Sequence, residues 1–311
     1  SYATVPSYDG SSNAAWTVDT QDTKFLATWD DRLWGISNSG QLWFALTPGT
    51  EVLDAKLPLP DGYVTALFVA RDSTGEPILY VATKKGLFAH DAANSRFVET
   101  EISFPLHPHG GRGTQKWRDS IYYPSGLGLY RYINGANQAV VTPVGPDRDD
   151  GLKSGYHGQI RQIVGSHNEL MVGVDSLSAP EEQASNEVAY QWASNHTGAS
   201  VIQPSTGISS ILGYNELGWE VKWAGGTEGR RLGSMTVSNA YSSDLDEVYR
   251  LWWGYNDIVY WQKIPSNLVN PSQITDFEYA ATGTLETPWF NANQSEISKL
   301  ALNLKVEVQD A

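Results

Sequence analysis

The chain contains no cysteine. Disulfides and thiolate metal sites are therefore excluded, while the redox compartment stays open, because cysteine-free chains occur anywhere. No apolar run approaches the roughly 20 residues that a membrane-spanning helix needs. Only 2 Met are present, and long apolar periods at helical spacing are few, which argues against a helical bundle. No cluster of Lys and Arg stands out, and 35 acidic against 21 basic residues leave a net charge of -14. Nucleic-acid backbones and anionic membrane surfaces need a positive face. The chain is therefore expected to bind neither nucleic acid nor membrane, and its acidity reads as solubility. Two catalytic signatures are missing as well: the Gly-x-Ser-x-Gly elbow of serine hydrolases and the Gly-x-x-x-x-Gly-Lys cradle for phosphates. No secretory signal starts at Ser1, and the missing Met points to processing that leaves a lost leader open.

What the chain has in quantity is aromatic residues and glycine, with 12 Trp and 29 Gly among 311 residues. That mixture suits short strands joined by tight turns. The stretch from Leu33 to Phe44 shows how they are combined: an aromatic strand, a small polar turn with Gly, and a second aromatic strand. The plan recurs at Ile78–Phe88 and Ile121–Tyr130, and in weaker form at Leu170–Val174, Leu212–Trp219 and Leu251–Tyr260. Anchored at residues 33, 79, 121, 170, 212 and 251, the spacings are 46, 42, 49, 42 and 39. A degenerate period of roughly 40–50 residues built from hairpins is the signature of a β-propeller. The expected fold is thus all-β, a single β-propeller domain over 1–311 with four-stranded blades. The expected number is six, with five and seven as alternatives.

Three complete four-strand units are expected within residues 24–144. A fourth opens with Gln159–Val164 and Glu169–Asp175. The stretch 176–206 is polar around one aromatic island, Val188–Trp192. It is either a long insertion inside the fourth blade or the start of a separate blade completed by Ile208–Trp223. We adopt the second, which yields six. Leu232–Ala240, Val248–Trp253 and Ile258–Ile264 form the last clear unit, with Phe277–Gly283 as its outer strand. Ile297–Val308 alternates apolar and polar residues as a strand with one buried face. Residues 1–15 read as an irregular lead-in. Ala15–Asp19 is expected to share a blade with the C-terminal segment, because a propeller closes its ring or leaves an edge.

Candidate functional residues are few. Asp147-Arg148-Asp149-Asp150-Gly151 sets three carboxylates beside a Gly. Hard cations want several oxygen ligands on a tight turn, so Asp147, Asp149 and Asp150 are the candidate calcium ligands. The spacing is not that of an EF-hand, and an acidic interblade loop explains the same residues. Apart from calcium, no cofactor is expected. His107-Pro108-His109-Gly110-Gly111-Arg112-Gly113 gathers two of the 6 His in a glycine-rich loop. His107 and His109 could join a metal site with a third ligand, or the loop could bend at the rim of the central channel, where both histidines are candidate ligand contacts. Exposed aromatics stack on sugars and anchor interfaces. Trp34, Trp43, Tyr80, Tyr122 and Trp253 occupy regular blade positions and are expected in the core. Trp192, Trp223 and Trp289 fall outside the strongest repeats and are the aromatic candidates for ligand contact. Ile36–Trp43 partly matches the Asp-box turn of sialidases, which is structural and remote from their catalysis.

Several phrases resemble uncharacterised β-propeller proteins of tailed bacteriophages and environmental viral DNA. They are Gly145–Leu152, Ser210–Tyr214 with Gly218-Trp219, Arg250–Gly254, Leu285–Phe290 and Lys299–Leu302. The resemblance implies a virion or tail-associated structural or adhesive role, in a virion or extracellular location. It also implies that more β structure follows Ala311, so that the chain is a fragment of a longer polypeptide. It carries no catalytic residues. The expected function is non-enzymatic, with a surface glycan or a neighbouring virion protein as partner. The alternative is a glycoside hydrolase with carboxylates at the channel mouth, for which Asp30, Asp31, Asp119, Asp175 and Glu220 would be tried first.

Overall fold

Antiparallel meanders follow one another along the chain, each built from strands that pair with their sequence neighbours. The computed structural model describes residues 4–7, 17–37, 40–47, 50–52, 64–91, 93–94, 96–107, 109–135, 138–147, 152, 156, 158–176, 208–225, 231–241 and 247–264. The first sheet contains β1 (Thr4–Ser7), β2 (Thr17–Trp29), β3 (Arg32–Ser37), β4 (Leu42–Thr47) and β5 (Thr50–Val52). The second contains β6 (Val64–Arg71), β7 (Pro77–Thr83), β8 (Gly86–Asp91) and β9 (Arg96–Ser103). The third contains β10 (Gln115–Trp117), β11 (Ser120–Ser125), β12 (Gly128–Asn134) and β13 (Ala139–Gly145). The fourth is β14 (Gly158–Gly165), β15 (Leu170–Ser176), β16 (Ser209–Tyr214) and β17 (Trp219–Ala224); the fifth is β18 (Leu232–Tyr241), β19 (Glu247–Tyr255) and β20 (Ile258–Ile264).

These sheets are radial. Successive side chains of a strand point to opposite faces, and here the two faces belong to two different cores. On β7, Leu79 and Val81 pack with Trp34, Ile36 and Leu42 of the first sheet. Their neighbours Tyr80 and Ala82 pack with Ile121, Tyr123 and Tyr132 of the third. On β11, Tyr122 turns away from Ile121 and Tyr123 and packs with Leu170, Val172 and Leu212 of the fourth sheet. Met171 and Ile211 in turn meet Leu232, Met235 and Trp253 of the fifth. Every core is therefore a seam between consecutive sheets. The first strands β2, β6, β10, β14 and β18 run side by side from sheet to sheet. This is a β-propeller, with five blades among the described residues. A strand covered on both faces reads as a continuous apolar run, which is why Ile78-Leu79-Tyr80-Val81-Ala82 does not alternate. The last strands β9 and β13 alternate between exposed and half-buried residues along most of their length.

The aromatic residues also carry polar ends across the seams. Trp29 Nε1 donates to the Pro77 carbonyl at 2.8 Å, and Tyr123 Oη donates to the Thr83 carbonyl at 2.8 Å. Trp117 and Trp219 each donate an indole N–H across the third seam, to the carbonyls of Ser166 and Val144, both at 2.6 Å. Arg118 and Arg131 add an ion-paired latch to Glu216, at 2.6 and 3.4 Å. Two-residue turns close several hairpins. Asp30 and Asp31 both take φ of 53°, and Asn256 and Asp257 take 51° and 61°, the left-handed pair that matches strand twist.

Five blades among the described residues lie within the expected range. One stretch is reassigned. Leu212 sits on β16, the third strand of the fourth sheet, and pairs with Val172 on β15. The hairpin at 212–219 is therefore the outer hairpin of a blade already begun, and the separate-blade reading of Ile208–Trp223 is corrected to an insertion inside the fourth blade. Thr4–Ser7 is a strand paired to β2 rather than part of an irregular lead-in. Thr17–Asp19 belong to β2. Phe277–Gly283 and Ile297–Val308 lie outside the described residues, and with them the expected closure.

Candidate functional site

The connector from β9 to β10 carries the chain from the outer edge of one blade to the inner strand of the next. It holds the His107–Gly113 loop, and its backbone is tied down throughout. Phe104 N–H donates to Lys85 O at 2.7 Å, and His107 N–H to Lys84 O at 3.2 Å. Gly110 N–H returns to His107 O at 2.9 Å, and Gly111 N–H crosses to Pro124 O at 2.8 Å. Gly111 has a φ of +67°, and a Cβ there would lie 2.4 Å from the Thr83 carbonyl oxygen. A Cβ on Gly113 would meet the Gln162 Cα at 3.0 Å. The loop thus touches the second, third and fourth blades. Glycine is required because backbone packs on backbone.

His107 and His109 are both buried, with ring centroids 6.4 Å apart. His107 Nδ1 accepts the His109 backbone N–H at 3.3 Å. His109 Nδ1 lies 3.3 Å from Arg112 Nη1. A guanidinium can only donate, so His109 Nδ1 accepts and the neutral ring carries its proton on Nε2. Burial, followed by the charges of Arg112 and Arg161, holds the His109 pKa down at about 2. A cation beside a neutral imidazole leaves this pair poorly placed for a metal. Among the described residues, no three His, Asp or Glu side chains form a group able to hold one.

The same connector lines a cleft between the second and third blades, about 420 Å³ in volume. Phe104, His107, Tyr130 and Asp147 line it, with the turn from Ser125 to Leu127. Phe104 stacks on Tyr123 at 5.8 Å and meets Tyr130 at 4.4 Å. Asp147 is exposed and lays its carboxylate over Gly128, where a Cβ would come within 2.7 Å of Oδ2. His107 and Asp147, forty residues apart in the chain, are thereby brought to one cleft. Asp149, Asp150, Trp192 and Trp289 lie outside the described residues.

Trp223 does not stand exposed as expected. It is half-buried, with centroids 5.4 Å from Trp253 and 4.9 Å from Tyr255. By contrast Trp34, Trp43, Tyr80, Tyr122 and Trp253 are all buried, as their blade positions required. The sequence reading missed Phe104 and Tyr130. Phe104 follows the end of β9, and nothing in a lone Phe after a polar strand signals a cleft.

The five carboxylates considered for hydrolysis are dispersed. Asp30, Asp31 and Asp119 are exposed turn residues on the first and third blades. Glu220 sits on outer strand β17, ion-paired to Lys222. Lys222 also holds Glu169 at 2.8 Å. Burial raises the Glu169 pKa, and the lysine works against that rise. Asp175 is buried, its Oδ2 held by Arg161 Nε at 2.9 Å and its Oδ1 by Ser209 Oγ at 2.8 Å and the Leu232 N–H at 3.1 Å.

No protein-family model and no curated protein matches the chain. Among solved structures, it is similar to the extracellular domain of a protein described as a hybrid two-component system from B. thetaiotaomicron. The identity is 14% and the TM-score 0.47, over 85% of this chain and 30% of that one. A hydrazine synthase structure from Kuenenia stuttgartiensis is 11% identical, with a TM-score of 0.39 over 79% of this chain and 58% of that one. A mitotic checkpoint complex structure is 13% identical, with a TM-score of 0.40 over 78% and 61%. The chain thus spans about 30% of the first of these structures. All three TM-scores lie below 0.5, so the propeller assignment rests on the chain's own sheets and seams.

Proposed function

We propose that the chain is a non-enzymatic recognition module that binds a surface glycan in the cleft between its second and third blades. The observation that supports this is the pairing of the Phe104 and Tyr130 rings with the exposed Asp147 carboxylate in one groove. An aromatic face stacks on the C–H face of a sugar ring, and a carboxylate accepts from its hydroxyls. The dispersal of Asp30, Asp31, Asp119, Asp175 and Glu220 over separate turns and strands favours binding over cleavage. A virion or tail setting is carried by the sequence resemblance alone. In that setting, weak sites on several copies would act together.

The test is a glycan array probed with the 311-residue chain, its Asp147→Ala variant and its Phe104→Ala variant. Saturable retention, weakened about tenfold or more by either change, is expected. Retention unaltered by both variants would remove the cleft from the proposal. No glycan retained, with clean capture of a virion protein, would replace the sugar by a protein neighbour.

A further inference from the structure

The inner ends of the blades gather positive charge in a chain whose net charge is -14. Four contacts trace the cluster. Gly113 packs on Gln162, which brings Arg112 beside Arg161. Arg161 pairs with Asp175 at 2.9 Å. Asp175 accepts the Leu232 N–H at 3.1 Å, which brings the adjacent Arg231 alongside. Gly110 lies on the Lys84 carbonyl, in the β7–β8 turn. Burial lowers the Arg161 pKa, Asp175 opposes that fall, and Arg112 and Arg231 add to it. Burial lowers the Lys84 pKa too, with Lys24 and Arg112 adding to the effect. Arg112, Arg161 and Arg231, from three different segments, thus gather around Asp175, with Lys84 beyond Arg112. That carboxylate already spends both oxygens on Arg161, Ser209 and Leu232. Arg231 Nε is buried without a hydrogen-bond partner among the described residues. Arg112 is exposed.

A surplus of guanidinium around one carboxylate is costly unless an anion completes it. We propose that Arg112 and Arg231 hold a compact oxyanion (a carboxylate, sulfate or phosphate group) at the inner ends of the blades, beside the Arg161–Asp175 pair. Guanidinium forks suit planar or tetrahedral oxyanions. The acidic remainder of the molecule repels a polyanion but admits a single small group. This site is separate from the Phe104–Asp147 cleft, and neither proposal depends on the other.

The experiment is a melting and calorimetric titration of the 311-residue chain with sodium sulfate, sodium phosphate and sodium glucuronate. Each is run against sodium chloride at matched ionic strength. A stabilisation that grows with the logarithm of oxyanion concentration is expected. Arg112→Gln, at an exposed position, and Arg231→Gln should each weaken it on the order of tenfold. Asp147→Ala should leave it unchanged, so failure here and failure of the cleft are told apart. Tighter binding of glucuronate assigns the site to a sugar acid; tighter sulfate or phosphate assigns it to an inorganic or esterified anion. A response equal to that of chloride, or wild-type affinity in Arg112→Gln, overturns the proposal.

Discussion

Replacing Asp175 by Ala removes a buried carboxylate that ties the fourth blade to the start of the fifth. Its side chain is 4% exposed and holds three partners: Arg161 Nε at 2.9 Å, Ser209 Oγ at 2.8 Å and the Leu232 N–H at 3.1 Å. Breaking a buried ion pair from one side strands the other charge and costs about 3–5 kcal/mol. Arg112 and Arg231 crowd the same guanidinium, so the stranded charge has no alternative counter-ion among these neighbours, and the upper half of that range is expected. Ser209→Ala removes one hydrogen bond to a charged acceptor, worth about 1.5–3 kcal/mol. Asp175→Asn should fall between the two, because an amide oxygen still accepts from Ser209 and Leu232 while the charge is lost. Equilibrium urea unfolding gives these values as midpoint shifts at constant slope. An Arg161→Met, Asp175→Ala double-mutant cycle isolates the pair itself. A cost below about 1 kcal/mol for Asp175→Ala, the range of exposed ion pairs, would refute the reading of this group as a buried hub.

Gly111→Ala should destabilise by about 2–5 kcal/mol, combining a left-handed φ with overpacking. The new methyl would meet the Thr83 carbonyl at 2.4 Å and Thr65 Oγ1 at 2.5 Å; thermal unfolding measures the loss, and a change under 1 kcal/mol contradicts the backbone-on-backbone packing. Stability should also fall with acid. His109 is held neutral when folded, with a pKa of about 2 against an ordinary 6.5, so the unfolded chain takes up the proton first. The contribution is complete above pH 6.5 and drains away as pH falls toward about 2, at up to about 1.4 kcal/mol per pH unit. Unfolding titrations between pH 7.5 and 4.5 should show that slope, and His109→Gln should flatten it; an unchanged slope in the variant assigns the acid sensitivity elsewhere.

The propeller was legible because its cores are seams. Each hairpin must bury both faces, so the repeat shows as aromatic and aliphatic runs at a regular spacing, and Trp34, Tyr80, Tyr122 and Trp253 announce themselves. The separate-blade reading at Leu212 has a simple origin. An insertion after β15 separates two strands of one blade by 42 residues, the same interval that separates whole blades elsewhere. Spacing cannot distinguish the two; the register of β15 against β16 does. Trp223 misled for a related reason. It lies off the repeat, yet the fifth blade supplies Trp253 and Tyr255 to cover it.

The sites were less legible. His107 and Asp147 were visible as residue types in Gly-rich or acidic loops, but their meeting depends on the β9–β10 connector lying beside the end of β13. The basic cluster left no trace along the chain, since Lys84, Arg112, Arg161 and Arg231 are well separated in sequence. Composition and periodicity by themselves determined that this chain forms radial antiparallel sheets, because that pattern of burial is local and repeats. Only the tertiary structure decided how many blades the hairpins make and which charges face one another. Both are set by contacts between segments far apart in the chain, where sequence distance carries no information about distance in space.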